Sequence, residues 1–426
     1  MSGFVFMASV ILFFFSAYRL KILGSWFRVL GIVLSTLLVS SLLLAFLNLP
    51  VRPEPFAGIL GLFSVAMLYH SSRKKSGSRT DARTDRLSKD AIVALIAVLI
   101  CFVAGVVYFR QDFLLPQYIS IDAAVHFMLG KYVSTNDTLL VFQRDLFFPD
   151  SPHIAQYPFG AGVLFSLFSE ILFFLPALVS FQIFHIFLLA VTSGYFIFVF
   201  LSRLHITSVP LRMLAVLMIS LGGFFNLMIM GFTSQLAGVF FLIFLYDVYT
   251  AYRAQIGTIV LAALAIFSVF ATYLYWIPVV FLFLAAQTVL AVDFRAIGTS
   301  LKKLAVPVGS GLLAILLALP YAYEVVSSGL LGVAGNDGGA YKVFLLNFVL
   351  YLPLLIAALP FFVREFFVKR SSAISFLASA VVFTCVLAAM FYSDNASGYA
   401  FSKSFMLTLP APVSYTHLTL PTIYSV

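Results

Sequence analysis

Apolar runs of roughly 16 to 22 residues recur along almost the whole chain, each near the length a helix needs to cross a hydrocarbon core of about 30 Å. Strand-type alternation over about ten residues, the mark of an outer-membrane barrel, is absent, so the runs are read as helices. A soluble alternative fails on composition. With 62% hydrophobic and 10% charged residues and a mean hydropathy of +1.09, too few polar side chains remain to build a water-facing shell. The expected fold is therefore an all-α, polytopic transmembrane helix bundle of about 12 to 14 spans, with a large outer loop carrying short interfacial helices.

The net charge of +9 does not point to nucleic acid, because Lys and Arg lie in short clusters between apolar runs. Such clusters mark cytoplasmic loops. The densest lies in residues 71–90, with Arg73, Lys74, Lys75, Arg79, Arg83, Arg86 and Lys89. Three spans precede it (about residues 4–18, 29–48 and 56–69), which puts Arg19, Lys21 and Arg28 on the same side. Residues 1–70 then form an N-terminal three-span segment, 71–90 a cytoplasmic loop, and 91–410 a transmembrane core whose loop 110–157 is extracytoplasmic. Later basic groups, from Arg203 and Arg212 to Lys369 and Arg370, also read as cytoplasmic. Residues 158–201 look like two helices split near Pro176, and two crossings there would put Arg203 on the wrong side. Either one of the two does not cross, or a later pair of short spans restores the count. The first apolar run lacks a basic leader and a clear cleavage site, and is read as a retained span. Cys101 and Cys385 fall inside apolar runs and indicate neither redox chemistry nor a disulfide framework.

In this apolar setting the outer peptide "YISIDAAVHFMLGKYV" stands out, since it holds Asp122, His126 and Lys131 together. Ser120 or Asp122 can cap a helix from Ala123 to about Val133. On it Asp122 and His126 share one face, four residues apart, while Val125, Met128, Leu129 and Tyr132 form an apolar stripe. Such a helix would lie at the interface with its polar pair turned inward or upward. The plain alternative for Asp122 is the cap alone. Farther on, "VFQRDLFFPDSPHIAQYPFGAG" adds Arg144, Asp145, Asp150, His153 and Tyr157. It continues into a proline at the first turn of the next helix and two glycines that permit close packing. Carboxylates, imidazoles and a guanidinium gathered above an apolar bundle suit a reaction between a lipid-borne phosphate ester and a polar acceptor. A carboxylate can take the proton of an attacking hydroxyl, and cationic groups or a divalent metal ion, Mg or Mn, can hold the departing phosphate. A solvated, self-paired loop is the plain alternative for Arg144, Asp145 and Asp150.

The acid with its four-residue step to His in "SIDAAVHFMLGKYV", followed by "QYPFGAG" opening the next helix, resembles the membrane-integral glycosyltransferases of the GT-C superfamily. Proteins of that kind carry an acidic residue in the first large outer loop and a Tyr-Pro-Pro-Gly-like helix opening. The resemblance implies an inverting transferase that takes a sugar from a polyprenyl-phosphate donor and passes it to a glycan or lipid-linked acceptor. It implies that Asp122 is the general base, that His126 contacts substrate or phosphate, and that Tyr157, Pro158 and Gly160 form the helix opening. "SGYAFSKSFML" is similar to a late Tyr-x-x-x-Lys feature and makes Lys403 a candidate phosphate contact. It spans roughly residues 91–410 and departs from the pattern in two places. Three spans precede the loop instead of one, and Phe159 stands where the second proline would be. The implied setting is the inner or plasma membrane, in envelope polysaccharide biosynthesis, with membrane lipid and no nucleic acid as partners.

Elsewhere, His185 reads as a hydrogen-bonded bundle residue, and Tyr273, Tyr275 and Trp276 as an interfacial aromatic belt. Glu170 and Glu324 would be functional if held within the membrane, though either can sit at an interface. No phosphate-cradling glycine loop, zinc spacing or nucleophile elbow is present to support an ATP-driven or hydrolase reading. A polysaccharide polymerase or ligase, or a non-enzymatic transporter or flippase of lipid-linked sugars, stands as the alternative. The tail is a separate matter. Val413 to Thr422 can be encoded by codons resembling the transposon-end adaptor of sequencing libraries, so residues 412–426 are expected to be foreign.

Overall fold

The structure is a computed structural model that describes residues 2–19, 26–73, 83–109, 122–142, 158–204, 224–229, 231–251, 256–291, 297–327 and 372–392, with isolated positions between 213 and 221. Among these the architecture is wholly helical, as the apolar runs require. The helices are α1 (Ser2–Arg19), α2 (Trp26–Phe46), α3 (Pro53–Arg73), α4 (Arg83–Phe109), α5 (Asp122–Asn136), α6 (Gly160–Ile171) and α7 (Ala177–Leu204). They continue as α8 (Phe224–Ile229), α9 (Thr233–Ala251), α10 (Ile256–Thr272), α11 (Ile277–Ala291), α12 (Ile297–Ser327) and α13 (Ser372–Tyr392). Among the described residues five stretches are long and apolar enough to cross a membrane: Trp26–Phe46, Asp90–Phe109, Ala177–Val199, Thr233–Ala251 and Leu304–Glu324. Together with the shorter apolar helices they make this a helical membrane protein.

The bundle has a centre and a rim. The spans of α7 and α9 are 89% and 83% buried, whereas those of α4 and α12 are each only 28% buried. Side chains such as Leu95, Leu99 and Val107 on α4, and Leu312 and Leu316 on α12, are exposed, as expected where lipid replaces protein. The centre is filled with aromatic rings: Tyr195, Phe240, Phe241, Phe244 and Tyr246 are fully buried. Close approach is bought with small residues, since a methyl group added at Gly31 would strike the Phe244 ring and one at Gly194 would strike Val98.

Helix direction follows from contacts between distant residues. Thr192 of α7 hydrogen bonds with the Leu236 carbonyl of α9, and Tyr195 with Asp247 farther down the same helix, so α7 and α9 run in the same direction. Gly105 meets Ile186 and Gly194 meets Val98, so α4 runs against α7. Val51, in the α2–α3 loop, donates its N–H to the Asp137 carbonyl just past α5 (2.6 Å). One end of the bundle thus collects α5, the α2–α3 loop and the starts of α7 and α9; it is called the α5 end.

These directions settle the count left open between residues 158 and 201. The chain splits into α6 and α7 near Pro176 as expected, but α6 has 12 residues, about 18 Å of helix against a core of about 30 Å. It leaves from the α5 end, where Gly160 lies against the Ala271 carbonyl at the close of α10. Five residues after α6, α7 also starts at the α5 end. Helix α6 therefore enters and returns on one side without crossing. That leaves α7 as the crossing helix and delivers Arg203 to the same side as the start of α4.

Two loops are shaped by backbone geometry. At the end of α2, Leu49 N–H reaches the Leu44 carbonyl (2.8 Å) and Asn48 N–H the Ala45 carbonyl (3.1 Å), with Asn48 at φ 55°. The same pair of bonds closes α8, where Gly231 takes φ 72°. Both are Schellman closures, and the second turns the chain directly into α9.

Candidate functional site

Helix α5 forms where the periodicity places it, with Asp122 already its first helical residue, and runs on past the expected Val133 to Asn136. It stops because Asp137 adopts φ 56°, a left-handed conformation that Asp tolerates better than most residues. The helix buries Ala123, Val125, His126, Leu129, Tyr132 and Val133. Met128 departs from the expected stripe and is exposed, because the buried arc is centred on the face toward α6 and α9. Burial pushes the Tyr132 phenol above its ordinary pKa, so its hydroxyl stays neutral.

Besides the Phe127 ring, which packs on Phe165 of α6 and Phe181 of α7, three contacts hold α5 to the bundle. Near its start, His126 is only 3% exposed and its Nδ1 lies 3.1 Å from Ser234 Oγ in the first turn of α9. At mid-helix Gly130 faces Gly162 of α6 so closely that a methyl group on either would strike the other helix. The glycines after Pro158 thus serve close packing as expected, although Pro158 lies two residues before α6 instead of in its first turn. At its end, Asp137 accepts the Val51 N–H and pairs with Arg52 (2.5 Å), whose guanidinium it pushes further above its already high pKa. That ion pair is at the surface, with Arg52 57% exposed, and contributes little by itself.

The polar groups beneath α5 converge on the start of α9. His185 of α7, the expected bundle histidine, hydrogen bonds through Nε2 with Thr233 Oγ1 (2.5 Å) and sits edge-on against Phe181. Consecutive hydroxyls, Thr233 and Ser234, therefore take one imidazole each from α7 and α5. Trp276 donates Nε1–H to the Gln235 carbonyl (3.4 Å), and Gly238 gives its ring room. This corrects the aromatic-belt expectation: Trp276 and Tyr273 are buried in the bundle, and Tyr275 alone of the three is exposed. The turn between α10 and α11 folds inward there because Gly238 leaves a recess that an aromatic ring fills.

The structure brings some expected site residues together and leaves others apart. Asp122 opens α5 and His126 follows one turn later, buried in the bundle. Lys131 lies on the exposed face of α5, away from His126. The side chain of Asp122 and all of Ser120, Arg144, Asp145, Asp150, His153, Tyr157 and Lys403 lie outside the described residues, as does the tail 412–426. Glu170 and Glu324 are half-buried near the ends of α6 and α12, which suits interfacial placement. A narrow apolar crevice opens beside α5 at the same end, lined by Leu129, Val133, Leu140, Phe159 and Tyr321. Among the described residues no three His, Cys, Asp or Glu side chains cluster as metal ligands. Cys101 is buried and Cys385 exposed on α13, both as free thiols.

One constellation was missed by sequence reasoning. At the opposite end, Arg28 of α2 holds Asp247 of α9 with two bonds, Nε to Oδ2 at 2.6 Å and Nη2 to Oδ1 at 2.8 Å. Tyr195 donates a third bond to Oδ2 (2.9 Å), and the Phe27 ring stacks on that tyrosine. The available signal was a lone Asp247 inside the apolar run of α9, because a carboxylate in such a run demands a partner.

No protein-family model, no curated protein and no solved structure matches this chain.

Proposed function

We propose that this protein is an integral membrane glycosyltransferase that moves a sugar from a polyprenyl-phosphate donor to a glycan or lipid-linked acceptor at the extracytoplasmic face of the cell membrane. The observation that carries the reading is the seating of α5. A short, acid-led helix is tied to the bundle at its start, middle and end. A general base must be held to within a fraction of an ångström, and a helix so tied can do that where a loose loop cannot.

In the proposed reaction Asp122 accepts the proton of the acceptor hydroxyl as its oxygen attacks the anomeric carbon. The bond from that carbon to the phosphate oxygen breaks, the anomeric centre inverts, and the polyprenyl phosphate leaves with the bonding pair. Lys131, Arg144 and Lys403 supply positive charge for that phosphate, and Asp145, Asp150, His153 and Tyr157 border the acceptor. The end of α3 and the start of α4, which flank the basic segment, lie on the side of the bundle opposite α5, and under the charge rule this supports an extracytoplasmic α5 end.

A transporter or flippase of lipid-linked sugars has one observation in its favour, the broken passage from α8 through Gly231 into the polar start of α9. Sealed vesicles separate the two readings. With labelled polyprenyl-phosphate sugar and acceptor supplied on the α5 side alone, the transferase reading expects label in a new glycosidic product and a stoichiometric release of polyprenyl phosphate. Intact donor moving to the other leaflet, with no new product, would overturn it.

A further inference from the structure

We infer that His126 is the positioning residue of the acid-led helix, acting through Ser234, rather than a contact for substrate. This rests on the reading of Asp122 as the base. Asp122 and His126 stand one turn apart on one face of α5, so whatever fixes the imidazole fixes the turn that carries the carboxylate. The imidazole is fixed. It is 3% exposed, its Nδ1 lies 3.1 Å from Ser234 Oγ, and Ser234 is itself 1% exposed.

The seat is rigid as well. Ser234 lies in the first turn of α9, the helix on which α7, α10 and α2 also pack, and its neighbour Thr233 is held by His185 from α7. The other two ties act farther from the acid: Gly130 against Gly162 is two turns away from Asp122, and Asp137 lies beyond the far end of α5. Neither holds the first turn, where His126 supplies the hydrogen bond beside the apolar packing of Ala123 and Val125 and of the Phe127 ring on Phe165 and Phe181. Helix ends fray where tertiary contacts are few, and a displacement of about 1 Å at a reacting group can cost about a hundredfold in rate. A buried histidine tied to a rigid helix prevents that displacement without touching the sugar.

The test uses the full-length protein in lipid nanodiscs, with Ser234→Ala, His126→Ala, the double variant and His126→Asn. Backbone hydrogen exchange is read for residues 123–130. Ser234→Ala and His126→Ala should each speed that exchange about tenfold, the worth of one buried hydrogen bond, and the double variant should be no faster than either. The amides of the second half of α9 should keep their protection. His126→Asn, which still offers a hydrogen-bonding group near the Nδ1 position, should restore most of the protection. In sugar transfer, Ser234→Ala and His126→Ala should lower kcat with KM little changed, and His126→Asn should recover activity. Unchanged exchange in Ser234→Ala and His126→Ala would overturn the inference. So would a raised KM in every His126 variant with Ser234→Ala fully active, the pattern of a substrate contact. A wild-type protein that transfers no sugar would instead remove the role of Asp122, and the exchange data would still decide whether His126 holds the helix.

Discussion

Arg28 does two jobs that the sequence presents as one. Its place between the first two apolar runs reads as a topology signal, and the helix directions agree with that side. Its guanidinium is nonetheless turned inward, 15% exposed, and forks onto Asp247, which is 2% exposed. Such a pair is costly to break and cheap to replace, because a lone buried charge is far less favourable than none. Asp247→Asn or Arg28→Ala alone should therefore cost about 3 to 5 kcal/mol. The paired replacement Arg28→Met with Asp247→Leu should come out near neutral by the same reasoning. Thermal unfolding in detergent decides this, and single variants as stable as the wild type would show that the triad carries no weight. At this scale the candidate site was partly legible. Asp122 and His126 stand out because polar residues are scarce in the chain, and their four-residue step needs only helix geometry. That His126 faces Ser234, 108 positions away, is a tertiary fact with no local trace.

Among the elements, α6 shows where periodicity runs out. From Gly160 to Pro176 the chain is mainly apolar, with Glu170 its one charge, and nearly long enough for a span, yet the helix ends at Ile171. Leu172 closes it with an N–H to the Phe168 carbonyl (3.2 Å), and no glycine or proline marks the place. Its end is set by packing: Glu170 meets Gly3 of α1, and Phe165 and Phe168 lodge against Phe181, Phe184 and Phe187 of α7. The exposed Phe173 and Phe174 then carry the chain back toward α7. If α6 does not cross, a cysteine at Phe174 must react with an impermeant thiol reagent from the same side as one at Ser134, while one at Ser78 reacts only from the other. Labelling of the Phe174 and Ser134 positions from opposite sides would make α6 a crossing helix. The aromatic turn at Tyr273 to Trp276 was misjudged for a related reason. Its composition suits an interface, and the recess left by Gly238 is invisible until α9 and α11 are side by side.

For the whole molecule, the class of fold was readable because bilayer thickness imposes a length on every crossing helix. Which helices are central was legible only in part: the rim span of α4 has a mean hydropathy of 3.0 against 1.8 for the central span of α7, but what surrounds each is set by tertiary packing. Among the described residues, besides smaller polar pairs such as Tyr249 with Ser310 and Gln287 with Ser375, the bundle has a charge clamp at Arg28 and Asp247 and an imidazole and hydroxyl cluster beneath α5, with an apolar aromatic core between. The clamp holds helices together; the cluster seats the helix that begins with Asp122. The claim that this seat presents a general base is tested most directly by Asp122→Asn in purified, reconstituted protein. Asn caps a helix about as well as Asp but cannot take a proton. Transfer from a polyprenyl-phosphate sugar should fall by roughly two to four orders of magnitude while the unfolding temperature stays put. If Asp122 only caps the helix, Asp122→Asn will turn over normally and Asp122→Ala will cost about 1 kcal/mol of stability. Normal turnover by a well-folded Asp122→Asn protein would contradict the account.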